Sequence, residues 1–170
     1  MVFGMDAFTF VHVLLSLIGI ASGLVVFFGF LTDSRLPLLT AIFLLTTVLT
    51  SVTGFGFPFT KLLPSHIVGI ISLVILAVAL YALYSAHLSG AWRWIYVVTA
   101  STALYLNVFV LIVQLFLKVP GLHALAPTQS EMPFVATQGA TLLAFIALGF
   151  LGVRRFGVNG IPPQTGLRSA

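Results

Sequence analysis

The feature that most constrains this chain is a series of five apolar stretches, each close to the length that a helix needs to cross a membrane. A helix rises about 1.5 Å per residue, so about 20 apolar residues span the hydrocarbon core. Membrane-spanning strands would be about 10 residues long and would alternate in polarity, and the sequence shows no such alternation. We therefore predict an all-α, polytopic bundle of five transmembrane helices. The stretches cover residues 8–31, 37–55, 64–88, 92–117 and 133–153.

Composition supports a lipid bilayer as the main solvent of this chain. Hydrophobic residues make up 60% and charged residues 6% of the sequence, and the mean hydropathy is +1.21. Soluble domains carry about 25% charged residues. The predicted organisation is one transmembrane domain over residues 1–156 and a flexible cytoplasmic tail over residues 157–170, which contains Pro and several Gly.

Charge and cysteine content exclude several function classes. The net charge is +4, but only seven Lys and Arg are present and they are scattered between the spans, so we predict no nucleic-acid partner. Cysteine is absent, which excludes disulfides, thiolate metal sites, iron–sulfur clusters and cysteine nucleophiles. No recognisable catalytic motif decides whether the protein is an enzyme.

The basic residues predict an orientation in the membrane. Cytoplasmic loops are enriched in Lys and Arg, and five Arg fall on one side of the predicted spans against two Lys on the other. We expect the N-terminus outside and the C-terminus in the cytoplasm of a multi-pass protein of the cell's inner (plasma) membrane. Residues 1–7 contain no Lys or Arg, so we interpret the first stretch as a span rather than a signal peptide. The Arg side holds Arg35, Arg93, Arg154, Arg155 and Arg168, and the other side holds Lys61 and Lys118.

Small and hydroxyl-bearing residues predict where the first two helices pack. Gly19 and Gly23 form a Gly-x-x-x-Gly pair that allows close approach of a neighbouring helix. The second helix carries a stripe of hydroxyls, which we expect to bond to carbonyls one turn back or to neighbouring helices. The stripe consists of Thr46, Thr47, Thr50, Ser51 and Thr53.

The fourth stretch presents a polar and small-residue face. Asn107 lies near the middle of the membrane, where an unpaired amide would cost several kcal/mol, so it requires a partner. Two alternatives remain: an interhelical hydrogen bond, or a contact with a substrate or ion along a polar path that includes Gln114. The face consists of Tyr96, Ala100, Ala103, Asn107, Gln114 and Lys118 at helical spacing.

Two histidines form the most specific candidate site. His12 and His66 fall in the first turns of two predicted parallel helices, which we take to be neighbours, at similar depth in the extracytoplasmic half. Such a pair fits the two axial positions of a b-type haem. Addition of His123 or Glu131 would instead give a transition-metal site. Thr50, Gln114 and Gln138 belong to the same polar half, and no diagnostic metal-ligand spacing is present.

The longest connection, residues 119–132, contains Pro and Gly and has room for one short interfacial helix. We expect Thr128 or Ser130 to cap the helix that follows, with Glu131 at its positive end.

Three functions therefore stay open on the sequence. The first is binding of haem b or a transition metal through His12 and His66, for electron transfer or a redox role. The second is a transporter or channel protomer with a polar path along the fourth helix. The third is an accessory or assembly subunit that joins a homo-oligomer or a larger membrane complex through its small-residue faces.

Overall fold

The computed structural model describes residues 6–57 and 64–157, and within these ranges the regular structure is helical, with no strand. A π-helical turn at Tyr81–Ser85 continues the third helix. Five helices, the third one with this turn included, are long and apolar enough to cross a membrane, which confirms the predicted five-span, all-α architecture. The helices are α1 (Ala7–Leu31), α2 (Pro37–Gly54), α3 (Pro64–Leu80), α4 (Trp92–Lys118), α5 (Pro120–Leu125) and α6 (Met132–Arg155).

The helix ends follow from local chemistry. Asp6 caps α1, since its carboxylate accepts a hydrogen bond from the Thr9 N–H at 2.8 Å. The third stretch was predicted to run to residue 88, but the helical turns end at Ser85. The chain then reverses through His87 and Leu88, which adopt left-handed φ values of 50° and 57°. The short helix expected between residues 119 and 132 is present as α5.

Helices α1 to α4 form a four-helix bundle in chain order. Each helix packs against the next, and α4 closes the ring by packing against α1. Helices α1 and α3 therefore lie diagonally across the bundle, with α2 between them on one side and α4 on the other. Helix α6 lies outside the ring against α4 and α1, and only Gln138 and Gly152 of α6 are buried.

The two ends of the bundle differ in chemistry. We call the end with Arg35, Arg93 and Arg155 the arginine end, and the end with His12 and His66 the histidine end. All the arginines in the described residues lie at the arginine end and Lys118 lies at the histidine end, as the sequence predicts. Lys61, Arg168 and the tail from residue 158 onward lie outside the described residues.

Aromatic packing ties α6 to the bundle at the arginine end. Phe156, just after α6, packs edge-on against Phe30 with ring centroids 5.0 Å apart, and Phe30 packs likewise against Tyr96 at 5.6 Å. The backbone of Gly157 is held on both sides: its N–H donates to the Asp33 carboxylate, and its carbonyl accepts from Arg93 at 2.8 Å. These contacts compensate for the small buried surface of α6.

The Gly-x-x-x-Gly pair of α1 provides the predicted close approach. A Cβ on Gly23 would lie 2.7 Å from side-chain atoms of both Phe43 and Leu104. A Cβ on Gly19 would lie 3.1 Å from the Thr46 hydroxyl and 3.2 Å from the Thr47 hydroxyl. The absence of side chains here lets α1 pack closely on α2 and α4 at mid-helix depth.

Candidate functional site

His12 is oriented by a hydrogen bond from α1 to α2. The half-buried imidazole lies with Nδ1 2.8 Å from Oγ1 of Thr53. That hydroxyl donates its own proton to the Leu49 carbonyl at 2.7 Å, so towards His12 it acts as the acceptor. His12 therefore donates from Nδ1–H, and in the neutral ring the lone pair lies on Nε2. This tautomer is the one that ligates a metal through Nε2 while its other nitrogen is held by the protein.

An aromatic cluster covers His12 just beyond the end of α2. The Phe57 ring packs edge-on against the His12 ring with centroids 5.1 Å apart, and Phe8 packs in the same manner on Phe57 at 5.1 Å. Gly56 makes this possible, because a Cβ there would lie 2.6 Å from the Phe8 ring. The histidine is thus shielded on one side by phenyl rings.

His66 is the more deeply buried histidine, with 3% of its surface exposed. Its ring stacks on Phe55, with centroids 5.9 Å apart and planes 29° from parallel. Phe55 in turn lies over Gly69, where a Cβ would be 3.3 Å from the phenyl ring. An aromatic residue of the α2 end therefore packs against each histidine.

The two histidines lie at similar depth on diagonal helices. His12 contacts Thr53 and His66 contacts Phe55, and these two contacts are only two residues apart in the chain. The depths of the two histidines therefore differ by no more than about one helical turn, about 5 Å. The prediction that α1 and α3 are neighbours was wrong, because α2 packs against both of them.

The other predicted metal ligands lie apart from this pair. His123 is exposed on α5. Glu131 is itself the N-cap residue of α6, and its carboxylate accepts from the Thr128 hydroxyl at 2.9 Å and from the Ser130 N–H at 3.1 Å. Across the described ranges, no three His, Asp or Glu side chains are grouped to hold a metal ion.

The predicted capping of α6 by Thr128 or Ser130 was wrong. Pro133 occupies the first turn and offers no N–H, and the Glu131 carboxylate points back to the preceding loop instead. Desolvation raises the pKa of Glu131, but hydrogen bonds from its own backbone, Thr128 and Ser130 outweigh it and lower this pKa from its ordinary value.

A polar layer crosses the middle of the bundle. Asn107 is buried and donates from Nδ2 to the Thr47 hydroxyl at 3.3 Å. This is an interhelical hydrogen bond, the first of the two alternatives expected for Asn107. Ser51 and Ser72 join α2 to α3 with an Oγ–Oγ distance of 3.1 Å. The Thr50 hydroxyl, one turn closer to His12, is buried and has no hydrogen-bond partner among the described residues.

The inward face predicted for α4 holds only in part. Tyr96, Ala100, Ala103 and Asn107 are buried, whereas Gln114 and Lys118 are exposed, so their predicted interior position was wrong. Towards the C-terminal end of α4 a different face of the helix is buried, and it packs with Ala126, which follows α5. The buried residues of this face are Ile112 and Phe116.

Two polar groups near this end keep defined contacts. Lys118 lies within electrostatic reach of His12. Gln138 is buried between α6 and α4, outside the ring: its Nε2 donates to the Phe109 carbonyl at 3.2 Å. The Gln138 Oε1 atom is buried and has no partner in the described part of the chain.

The sequence did not identify the aromatic contribution to this site. Phe55 and Phe57 lie in a Gly- and Pro-containing segment, and no contact of either with a histidine was predicted. Their alternation with Gly54 and Gly56 was the available signal, since a Cβ on Gly54 would lie 3.8 Å from the His12 ring and one on Gly56 would lie 2.6 Å from the Phe8 ring. Comparison with protein-family models, with curated proteins and with solved structures finds no match to this chain.

Proposed function

We propose that this multi-pass membrane protein binds a b-type haem at the histidine end of its four-helix bundle, that His12 and His66 would hold it, and that it serves as a one-electron carrier. The observation that carries the proposal is the hydrogen bond from His12 Nδ1 to Thr53, because it leaves Nε2 with its lone pair.

Haem fits the available side chains better than a tetrahedral metal ion. A zinc or copper site needs three or four protein ligands, and no third ligating group accompanies the two histidines in the described ranges. A haem needs only two, one from each face of the ring. The two histidines come from two different helices at matching depth, and both helices pack against α2. Phenyl rings beside both imidazoles supply the apolar surroundings that a porphyrin requires.

The bound haem would supply the reversible ferric–ferrous couple, and the chain would set its environment. Thr53 would hold the His12 ring in one orientation, and Phe57 and Phe55 would exclude water from the two imidazoles. Lys118 would place a positive charge near the group, which favours the ferrous state. On the asymmetry of arginines we place the protein in the inner (plasma) membrane with the arginine end in the cytoplasm.

Titration of the detergent-purified protein with haemin tests the proposal. We expect one haem per chain and a six-coordinate visible spectrum. His12→Ala and His66→Ala should each bind haemin more weakly and lose the six-coordinate form of the spectrum, while the matched control His87→Ala, an exposed histidine at the arginine end, should keep it. No saturable binding by the wild type, or equal binding by all four proteins, would reject the proposal.

A second candidate is an accessory subunit that docks through α6, either in a homo-oligomer or in a larger membrane complex. The observation that favours it is the exposure of α6, since only 6% of its spanning window is buried in the monomer. Cross-linking in native membranes tests it: a discrete product formed through a cysteine placed at Ala140 would support docking. Monomer alone would argue against it.

The transporter alternative has less support. A continuous path along α4 would pass the level of Gly23, and there Phe43 and Leu104 fill the space between the helices. The polar groups on the histidine side of this level, Thr47, Thr50 and Asn107, do not continue through it.

A further inference from the structure

A cavity of 260 Å³ opens at the arginine end, at the opposite end of the bundle from the histidines. All four helices of the ring contribute to its wall, so it lies on the bundle axis. Its floor is apolar and includes Val26, Phe30, Leu83 and Phe156. This cavity has no part in the proposed haem site.

The mouth of the cavity is polar and positive. Among the described residues, Arg35 is the only charged residue that lines it, and no acidic side chain does. Asp33, the nearest acid in sequence, is not among the lining residues and accepts the N–H of Gly157. The described lining of the cavity therefore carries one cation and no acidic side chain.

A pair of buried hydroxyls and the start of α2 line the same cavity as Arg35. Thr40 and Tyr96, both buried, line the cavity and are hydrogen-bonded to each other through their side chains. Helix α2 begins at Pro37 with Leu36 as a cap that offers no side-chain acceptor. Pro37 itself offers no N–H, so the contribution of α2 at this end is its positive dipole, which favours an anion.

We infer that this cavity binds an amphiphile with an anionic phosphate or carboxylate head and an apolar tail. The head group pairs with Arg35, which forms strong charge-assisted hydrogen bonds to both types of oxyanion. The first methylenes of the tail lie on the apolar floor. The volume is just below the range of about 300–1,000 Å³ that is usual for ligand pockets, so it suits a head group and a few carbons rather than a whole lipid.

The test uses dodecyl phosphate as the probe, with the full-length protein in a neutral maltoside detergent and calorimetric titration as the readout. We expect one binding site per chain and no saturable binding of dodecanol, which has the same tail without the charge. Arg35→Gln should weaken binding at least tenfold, and Arg35→Lys, which keeps the charge but not the planar fork of donors, should weaken it less. The matched control is Arg154→Gln, because Arg154 is exposed at the same end and packs over Phe150 instead of lining the cavity.

Equal binding of dodecanol, or an equal loss in Arg35→Gln and Arg154→Gln, would overturn the inference. Native mass spectrometry then distinguishes the two sources of the ligand. A phosphatidylglycerol retained by the wild type and lost from Arg35→Gln identifies a membrane lipid. Retention of a free fatty acid with the same dependence on Arg35 identifies a soluble amphiphile.

Discussion

His12 and Thr53, which are 41 residues apart in sequence, are joined by a 2.8 Å hydrogen bond between Nδ1 and Oγ1. The bond connects α1 to the last turn of α2 and fixes the orientation of an imidazole at the histidine end. A leucine or valine at position 53 would preserve the helix but not this orientation. The proposed cofactor site depends on this pair more than on any other contact.

Replacement of Thr53 by Val should weaken haem binding about 10- to 100-fold, since second-shell partners of a ligating histidine commonly have effects of this size. The residue keeps its shape but loses the acceptor for His12 Nδ1–H. Haemin titration measures the change. Thr102→Val is the control, because its exposed hydroxyl donates to the Val98 carbonyl far from the histidines. Wild-type affinity in Thr53→Val would show that the hydrogen bond does not support a ligand.

Replacement of Gly23 by Ala should destabilise the bundle by about 1–3 kcal/mol, the usual cost of overpacking. The new Cβ would lie 2.7 Å from atoms of Phe43 and Leu104. Gly139→Ala is the matched control, because nothing lies within 4 Å of its Cβ position. Gly139→Ala should stabilise the folded protein by about 0.5–1 kcal/mol, because Ala has a higher helix propensity than Gly. Reversible unfolding in mixed micelles measures both, and an equal response would contradict the packing described at Gly23.

The Asn107–Thr47 contact should appear as a coupling of about 0.6 kcal/mol, the average for polar pairs in membrane helices. The experiment is a double-mutant cycle with Asn107→Leu and Thr47→Val, read by the same unfolding assay. Thr47→Val combined with Gln138→Leu is the control pair, because Gln138 bonds to Phe109 outside the ring and should be additive within about 0.5 kcal/mol. Additivity of the first pair would mean that the hydrogen bond contributes nothing.

The cap of α1 should make its first turn sensitive to acid. The backbone N–H of Thr9, followed by its hydroxyl, lowers the pKa of Asp6 from the ordinary value of 3.8. A carboxyl whose pKa is lower in the folded than in the unfolded state stabilises the folded protein at pH values above its unfolded-state pKa. This stabilisation is lost as the pH falls through its folded-state pKa. Protection of the Thr9 amide from hydrogen exchange should therefore decrease below about pH 4 in the wild type. Asp6→Asn, which keeps an acceptor without the charge, should show no such decrease, and parallel profiles would refute the assignment.

The architecture was accessible from the sequence because bilayer thickness imposes span length on apolar stretches. The end of the third helix could not be predicted from the sequence. The chain reverses there through His87 and Leu88 in left-handed conformations, which non-glycine residues rarely adopt. The positions of Asn107 and of the Gly19–Gly23 pair followed from helical periodicity and residue size.

The site was only partly accessible from the sequence. Helical periodicity placed Gln114 in the interior. Near the C-terminal end of α4, however, Ile112 and Phe116 are the buried residues, because they pack with Ala126. The sequence around Gln114 carries no sign of this contact with a later segment. The direction and depth of α1 and α3 could be read from the order of spans. Their diagonal placement could not, because sequence order alone does not determine which helices of a ring are adjacent.

The electron paramagnetic resonance spectrum of the ferric, haem-loaded protein tests the central claim most directly. Two imidazole ligands from His12 and His66 predict a low-spin spectrum, because two nitrogen ligands on the axis fill both open positions of the iron. Removal of either histidine should convert it to high spin. A high-spin wild-type spectrum, or a low-spin spectrum that survives both His12→Ala and His66→Ala, would contradict the proposed site.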